Sequence, residues 1–248
     1  MSYKELYERV GSVVGWDFSK IDKRTKTVGE KWDFLEIVKN YVSNETILLD
    51  IGTGGGEKLL EIAKFVEKAY GIDNSRSMIT TANRNLRKAK MLNVEFKLAD
   101  AKKLPFTEES FDVAMCRQAP FYAEEVFRVL KPNGVFLSQQ VGEENKQNIK
   151  EIFGRGQSFG EKPGSFMSDC IQELENAGLK ILRTDTYNAT EYYTDMADLI
   201  FLLRNTPIMP DFDIEKDERH LEEIEKKYKT KNGIKTNSSR FLIICKKP

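Results

Sequence analysis

Three aspartates carry the first chemical signal in this chain. Asp50, Asp73 and Asp100 each close a short apolar run, and Asp50 begins the stretch Asp-Ile-Gly-Thr-Gly-Gly-Gly-Glu57. Glycines at 52, 54 and 56 allow a ligand to approach the backbone. A strand-to-helix turn of this kind presents amide N–H groups and the positive helix end at the carboxyl edge of a parallel sheet. A dinucleotide fingerprint, Gly-x-Gly-x-x-Gly, would need its third glycine at position 57, which is Glu. That carboxylate and Asp50 both have the wrong sign for a pyrophosphate, so a cationic ligand without phosphate fits better, and no nicotinamide or metal is expected. Asp73 lies 21 residues after Gly52, where an acid can take both hydroxyls of a ribose. Acids at the tips of three successive strands around one glycine turn therefore describe a site for a nucleoside bearing an ammonium or sulfonium group.

The elements that must position these residues follow from hydrophobic spacing. Trp32, Leu35, Val38 and Val42 predict a helix; Glu45–Asp50 is a mostly apolar run without helical period, as in a strand buried on both faces. Leu59, Ile62, Ala63 and Val66 predict the helix after the glycines. Strands are expected at 68–73, 94–99, 111–116, 135–141, 179–186 and 240–246, with helices led by Met78, by Glu124 and by Met167. Lys-Pro-Asn-Gly134 reads as a turn. Strands alternating with helices imply an α/β fold: an open, mostly parallel sheet with helices on both faces, in a single domain spanning 1–248. Two segments stand outside the alternation. One is an N-terminal cap segment, 1–30, with Trp16 and Phe18. The other is a helical insertion before the last strand, 187–239, expected to act as a lid.

Composition removes several classes. Lys and Arg total 39 against 39 Asp and Glu, so there is no global field for nucleic acid, and a local basic patch would have to serve. No apolar run is long enough for a membrane span and the charged N-terminus is unlike a signal peptide; a cytoplasmic location is the expectation. Three well-separated cysteines, Cys116, Cys170 and Cys245, offer neither a disulfide framework nor a metal motif.

The motifs can now be compared with a known family. LLDIGTGGGE resembles the first motif of the Rossmann-like (class I) S-adenosylmethionine-dependent methyltransferases, and GIDNSRSMI resembles their second. ADAKKLPFTEESFDVAMC with EEVFRVLKPNGVFL is similar to later motifs of the subgroup containing the ubiquinone and menaquinone C-methyltransferases. The resemblance implies a seven-stranded sheet whose last strand is antiparallel, S-adenosylmethionine as cofactor and S-adenosylhomocysteine as product. It implies that Asp50, Thr53 and the backbone of Gly52, Gly54 and Gly56 hold the methionine part, that Asp73 binds the ribose, and that Asn74 and Met78 border the adenine. Asp100 and the Ala101 amide would read the adenine edge, and Arg117 would lie near the sulfonium through its backbone. The chain departs from the family after the fourth of its core strands. There Cys116-Arg-Gln-Ala-Pro-Phe-Tyr replaces an Asn-Pro-Pro-Tyr type of tetrad, so amide and exocyclic-amine methylation are unsupported.

Methyl transfer from a sulfonium is an in-line displacement, for which a protein chiefly supplies orientation and a dry cavity. No catalytic base is assigned. His220 lies in a charged helical stretch and is expected to be neither base nor ligand, and Cys116 is expected to be an apolar filler rather than a nucleophile. Gln118, Gln139, Gln140, Tyr192 and Tyr193 fall near strand ends and are open to two readings, acceptor contact or packing. Three functions are weighed: methyl transfer to a small-molecule acceptor; methylation of rRNA or tRNA using the acid-free basic run 226–240; and a non-catalytic sensor or scaffold that binds the cofactor.

Overall fold

The computed structural model describes Tyr3 and residues 24–248. Trp16 and Phe18 lie outside the described residues, as does most of the N-terminal segment. The described chain gathers into two compact units. One comprises Trp32–Gln140, Met167–Thr186 and Phe241–Pro248; the other comprises the described residues up to Lys31, Val141–Phe166 and Tyr187–Arg240.

The first unit is built on parallel strands whose sequences are buried on both faces. β2 (Ile47–Ile51) pairs in parallel with β3 (Lys68–Asp73) and β5 (Phe111–Arg117); β3 pairs with β4 (Val94–Leu98), and β5 with β6 (Leu130–Val141). Beyond β6 lie β9 (Gly233–Lys246) and β7 (Lys180–Tyr193), giving the order β7-β9-β6-β5-β2-β3-β4. Bonds from Asn133 N to Lys247 O and from Lys247 N to Gly134 O make β9 antiparallel to β6. These seven strands have the order and the antiparallel last strand that the motifs imply, within a sheet that two further short strands bring to nine.

Period-two alternation sorts the strand side chains onto two cores. Leu48, Val113, Met115, Leu242 and Ile244 join one cluster with α1 (Phe34–Lys39), α2 (Glu57–Ile62) and α3 (Arg76–Ala89). Their chain neighbours Leu49, Ala114, Cys116, Phe241, Ile243 and Cys245 join the other, with α4 (Ala123–Val129) and α6 (Ser165–Asn176). Helices therefore cover both faces. α1 is shorter than the apolar stripe because Asp33 caps it, accepting from the amides of Leu35 and Glu36.

The second unit holds what hydrophobic spacing did not foresee. β1 (Thr25–Val28) pairs antiparallel with residues 190–193 of β7, which is why that strand runs to Tyr193 rather than ending at 186. α5 (Gln147–Phe153) is an additional helix, and β8 (Lys229–Thr230) pairs with β9. In the first unit, Lys-Pro-Asn-Gly134, expected as a turn, lies inside β6 where its register with β5 is interrupted, with Asn133 at φ +68°. The insertion carries α7 (Met196–Asn205) and α8 (Glu218–Tyr228). α7 buries seven of its ten residues and packs with Ile149 and Phe153 of α5 into a third core. The basic run 226–240 begins in the last turn of α8 and past Tyr228 is mostly strand. Two lysines are buried in this unit. Lys146 pairs with Glu191 and donates to the Asn237 carbonyl, and Lys150 donates to the carbonyls of Glu143 and Gln157. No helix among the described residues is long and apolar enough to cross a membrane, and no group of three His, Cys, Asp or Glu is placed to hold a metal.

Candidate functional site

All eleven candidate residues fall within the first unit, at the carboxyl ends of its parallel strands. The register pairs Asp50 with Gly71 and Met115, Asp73 with Leu98, and Arg117 with Gln139, so the tips of β2, β3, β4 and β5 end side by side. Asp100 sits two residues past β4 and is exposed. Its carboxylate accepts from the Lys102 amide (2.9 Å) and its carbonyl from the Lys103 amide (3.1 Å), which closes a tight turn over Ala101.

The glycine turn is fixed by hydrogen bonds that only this backbone path allows. The amides of Gly52 (3.0 Å) and Thr53 (2.8 Å) both reach the Ile72 carbonyl, so the loop bends across the top of β3. Gly52, Gly54 and Gly56 all have positive φ (+74°, +56° and +78°). At Gly52 and Gly56 packing also requires glycine. A Cβ on Gly52 would stand 2.2 Å from the Ala119 Cβ, and one on Gly56 would stand 2.4 Å from the Phe96 ring. Gly54 differs: a Cβ there would meet nothing within 4 Å, so the turn is open at its centre. Gly71, on β3, is a further glycine that the site requires, since a Cβ there would strike Phe96 and the Thr53 hydroxyl, both at 2.7 Å.

Asp73 ties the turn to the next helix. One carboxylate oxygen accepts from the Gly54 amide (3.0 Å) and the other from the Ser75 amide (2.8 Å). Ser75 in turn caps α3 by accepting from the Met78 amide. Met78 itself is fully buried, whereas Asn74 is exposed. Glu57, at the first position of α2, folds its carboxylate back over Gly55 and receives the Asn85 amide at 2.8 Å. A phosphate at this helix end would meet that carboxylate.

Electrostatics point the same way. Asp50 is buried, and burial lifts its carboxyl to about 6; the Thr53 hydroxyl and the Arg117 charge oppose the rise, and Asp73 adds to it. The Thr53 hydroxyl lies near enough to temper the charge yet makes no hydrogen bond of standard geometry, and its oxygen is buried. A buried carboxylate short of a counter-charge, beside a buried hydroxyl short of a partner, matches an ammonium group. The residues present thus fit the amino-acid end of an S-adenosylmethionine molecule, whereas the Glu57 carboxylate would face a phosphate with the wrong sign.

Other candidates fall into structural roles. Gln139 accepts from the Trp32 indole (2.7 Å), and Gln140 is buried and bonded to loop atoms. Burial pushes the Cys116 thiol up to about 12, with the Asp50 charge adding, so it stays un-ionised. Tyr193 is buried in the third core, and His220, in the second unit, stacks on Phe153 at 4.8 Å with its Nδ1 3.3 Å from Asp217. Ala119, Phe96 and Gly71 were absent from the sequence reading; nothing in their spacing announces that they press on the glycine turn.

Comparison with known proteins shows the family and the fold. A family model described as a methyltransferase domain matches residues 42–185, more than half of the chain. An uncharacterized methyltransferase of Bacillus subtilis (strain 168), YcgJ, is 35% identical over 97 residues, covering 36% of this chain and 38% of that protein. A demethylmenaquinone methyltransferase of Leptospira interrogans is 36% identical over 126 residues, 46% of this chain and 51% of that protein. The chain thus spans about two fifths to one half of the length of these curated relatives. The crystal structure of the Bacillus subtilis YcgJ protein superposes with a TM-score of 0.62 at 23% identity, over 86% of this chain and 97% of that one, a likeness of fold.

Proposed function

From the premise that this chain belongs to the methyltransferase-domain family, we propose that it transfers a methyl group from S-adenosylmethionine to a small-molecule acceptor. The observation that carries the reading is the buried Asp50 carboxyl with the buried Thr53 hydroxyl beside it, on a glycine turn that a carboxylate closes to phosphate. The cofactor, when bound, supplies an electrophilic methyl group on sulfur. Asp50 supplies the counter-charge for its ammonium, and the open centre of the turn at Gly54 receives the methionine part against the backbone of Gly52–Gly56. Asp73, already braced by two amides, presents its remaining lone pairs to the ribose hydroxyls. Asn74 and Met78 flank the adenine, and Asp100 with the Ala101 amide reads its edge. Arg117 contributes its backbone at the end of β5, where the methyl group leaves.

No side chain is assigned as a base, and an acceptor whose nucleophile is already electron-rich needs none. The small-molecule class follows from the Leptospira relative named as a demethylmenaquinone methyltransferase, and acceptor choice is given to the 187–239 insertion, which has its own core. The test is calorimetric titration with S-adenosylhomocysteine and with NAD, followed by incubation of the protein, a cell extract and methyl-labelled S-adenosylmethionine. Tight binding of the homocysteine product, and label in the small-molecule fraction, are expected. Tighter binding of NAD would overturn the cofactor reading, and label confined to RNA would overturn the acceptor class.

A further inference from the structure

The short loop after β5 is held by a clamp that the proposed chemistry has not yet used. The Ala119 carbonyl accepts two hydrogen bonds, one from the Cys116 thiol (3.1 Å) and one from Gln140 Nε2 (3.0 Å). Gln140 is itself buried at the end of β6 and anchored by a second bond from Nε2 to the Ser138 hydroxyl (2.9 Å). The other side of Ala119 is its methyl group, which occupies the space a side chain at Gly52 would need. The chain reaches Ala119 through Gln118, a non-glycine residue at φ +56°, a conformation that needs support from its surroundings. The Gln140 amide and the Cys116 thiol, with the backbone bond from Gln118 N to Gln139 O (2.8 Å), thus hold the loop where it meets the first glycine of the turn.

We propose that Gln140, seconded by Cys116, is a positioning residue for the cofactor site: by holding the Ala119 carbonyl it seats the loop wall against Gly52 and so sets cofactor affinity. This rests on the reading of the glycine turn as an S-adenosylmethionine site. It differs from ordinary satisfaction of a buried carbonyl, because Ala119 touches the ligand-bearing turn and not merely the core. Gln140 touches no reacting atom; its effect passes through Ala119 and Gly52.

The experiment compares wild type with Gln140→Leu, Gln140→Glu, Cys116→Ser and, as a control, Leu174→Ala. Leu174 is fully buried on α6 in the same core. Two readouts are taken: calorimetric affinity for S-adenosylhomocysteine, and amide hydrogen exchange without ligand. Both Gln140 variants should bind about five- to ten-fold more weakly, as expected for loss of a buried hydrogen bond transmitted to the site. Faster exchange should be confined to residues 118–122 and 52–54. Cys116→Ser keeps a donor and should bind within about two-fold of wild type, and Leu174→Ala, though less stable, should do the same. Gln140→Leu binding as wild type does, or weakening only alongside a melting loss that Leu174→Ala matches, would overturn the clamp. Should Gln140→Leu not fold, Cys116→Ala, which deletes the sulfur that donates to the Ala119 carbonyl and accepts from Gln140 Nε2 (3.6 Å), must still weaken binding about three-fold or the proposal fails. If wild type itself does not bind the homocysteine product, the functional reading falls, and the exchange pattern alone still decides the clamp.

Discussion

Asp73→Ala removes an acceptor that serves two donors in the free protein and, on the proposed function, two more in the complex. In the free protein the lost partners are the Gly54 and Ser75 amides, at 3.0 and 2.8 Å. Bonds to a charged acceptor contribute about 1.5–3 kcal/mol each when buried, but Asp73 is half-buried and water can replace part of each, so roughly 1–2 kcal/mol in total is expected. In a chain of this size that lowers the melting temperature by about 2–8 °C. The ribose hydroxyls add a separate loss of about 1.5–3 kcal/mol, or some ten- to hundred-fold in affinity for S-adenosylhomocysteine. Asp73→Asn is the sharper control, because its NH2 would point at one of the two amides and keep only one acceptor. Thermal melts measure the first loss and calorimetric titration the second. A folded Asp73→Ala protein that melts lower yet binds the product as wild type does would mean that Asp73 only braces the turn. The assignment of the ribose to it would then be wrong.

Three further outcomes follow from the same site. Asp50, lifted by burial to about 6, must be ionised to face an ammonium, so binding below that pH expels a proton: affinity should rise from acid pH, flatten above about 6, and be about ten-fold weaker at pH 5 than at pH 7. The free protein has the opposite trend from this group, since the folded state holds the proton more tightly than the unfolded one and loses stability as pH rises from about 4 to about 6; Asp50→Asn should abolish both, and an unchanged pH profile in that variant would refute the role. Gly52→Ala should disrupt binding far more than Gly54→Ala, because its Cβ would stand 2.2 Å from Ala119 whereas at Gly54 only backbone strain of about 1 kcal/mol is met; equal effects in a titration series would contradict the geometry. Exchanging residues 196–228 for a short Gly/Ser link, with Ile149 and Phe153 made polar to cover the exposed α5, should keep product affinity within about three-fold while ending transfer to the natural acceptor. Normal turnover in that variant would remove the insertion from acceptor selection.

Much of the fold was legible because its signals are local. A buried parallel strand must be apolar along its length and a helix must be apolar along one stripe, so β2 to β6 and α2, α3 and α6 are readable within a few residues. The glycine turn was legible for the same reason: Gly52, Gly54 and Gly56 lie within one short run, and Asp50 and Asp73 close the strands that flank it. What stayed hidden is long-range. Nothing in the leader announces that Thr25–Val28 would pair with 190–193, although that partner carries β7 on to Tyr193. Nothing in the basic run 226–240 marks its strands, since charge has no period and the pairing of 229–230 with 233–234 exists only in the fold. At the site, the sequence determined which groups were available, but the tertiary structure decided their state. Burial, a property of everything packed around it, lifts the Asp50 carboxyl and strands the Thr53 hydroxyl. Ala119 and Phe96 come from a loop and a strand well removed in the chain and press on the turn by contact alone. A close approach between residues far apart in the chain leaves no pattern in one sequence, since it depends on where whole strands lie and not on which residues are neighbours.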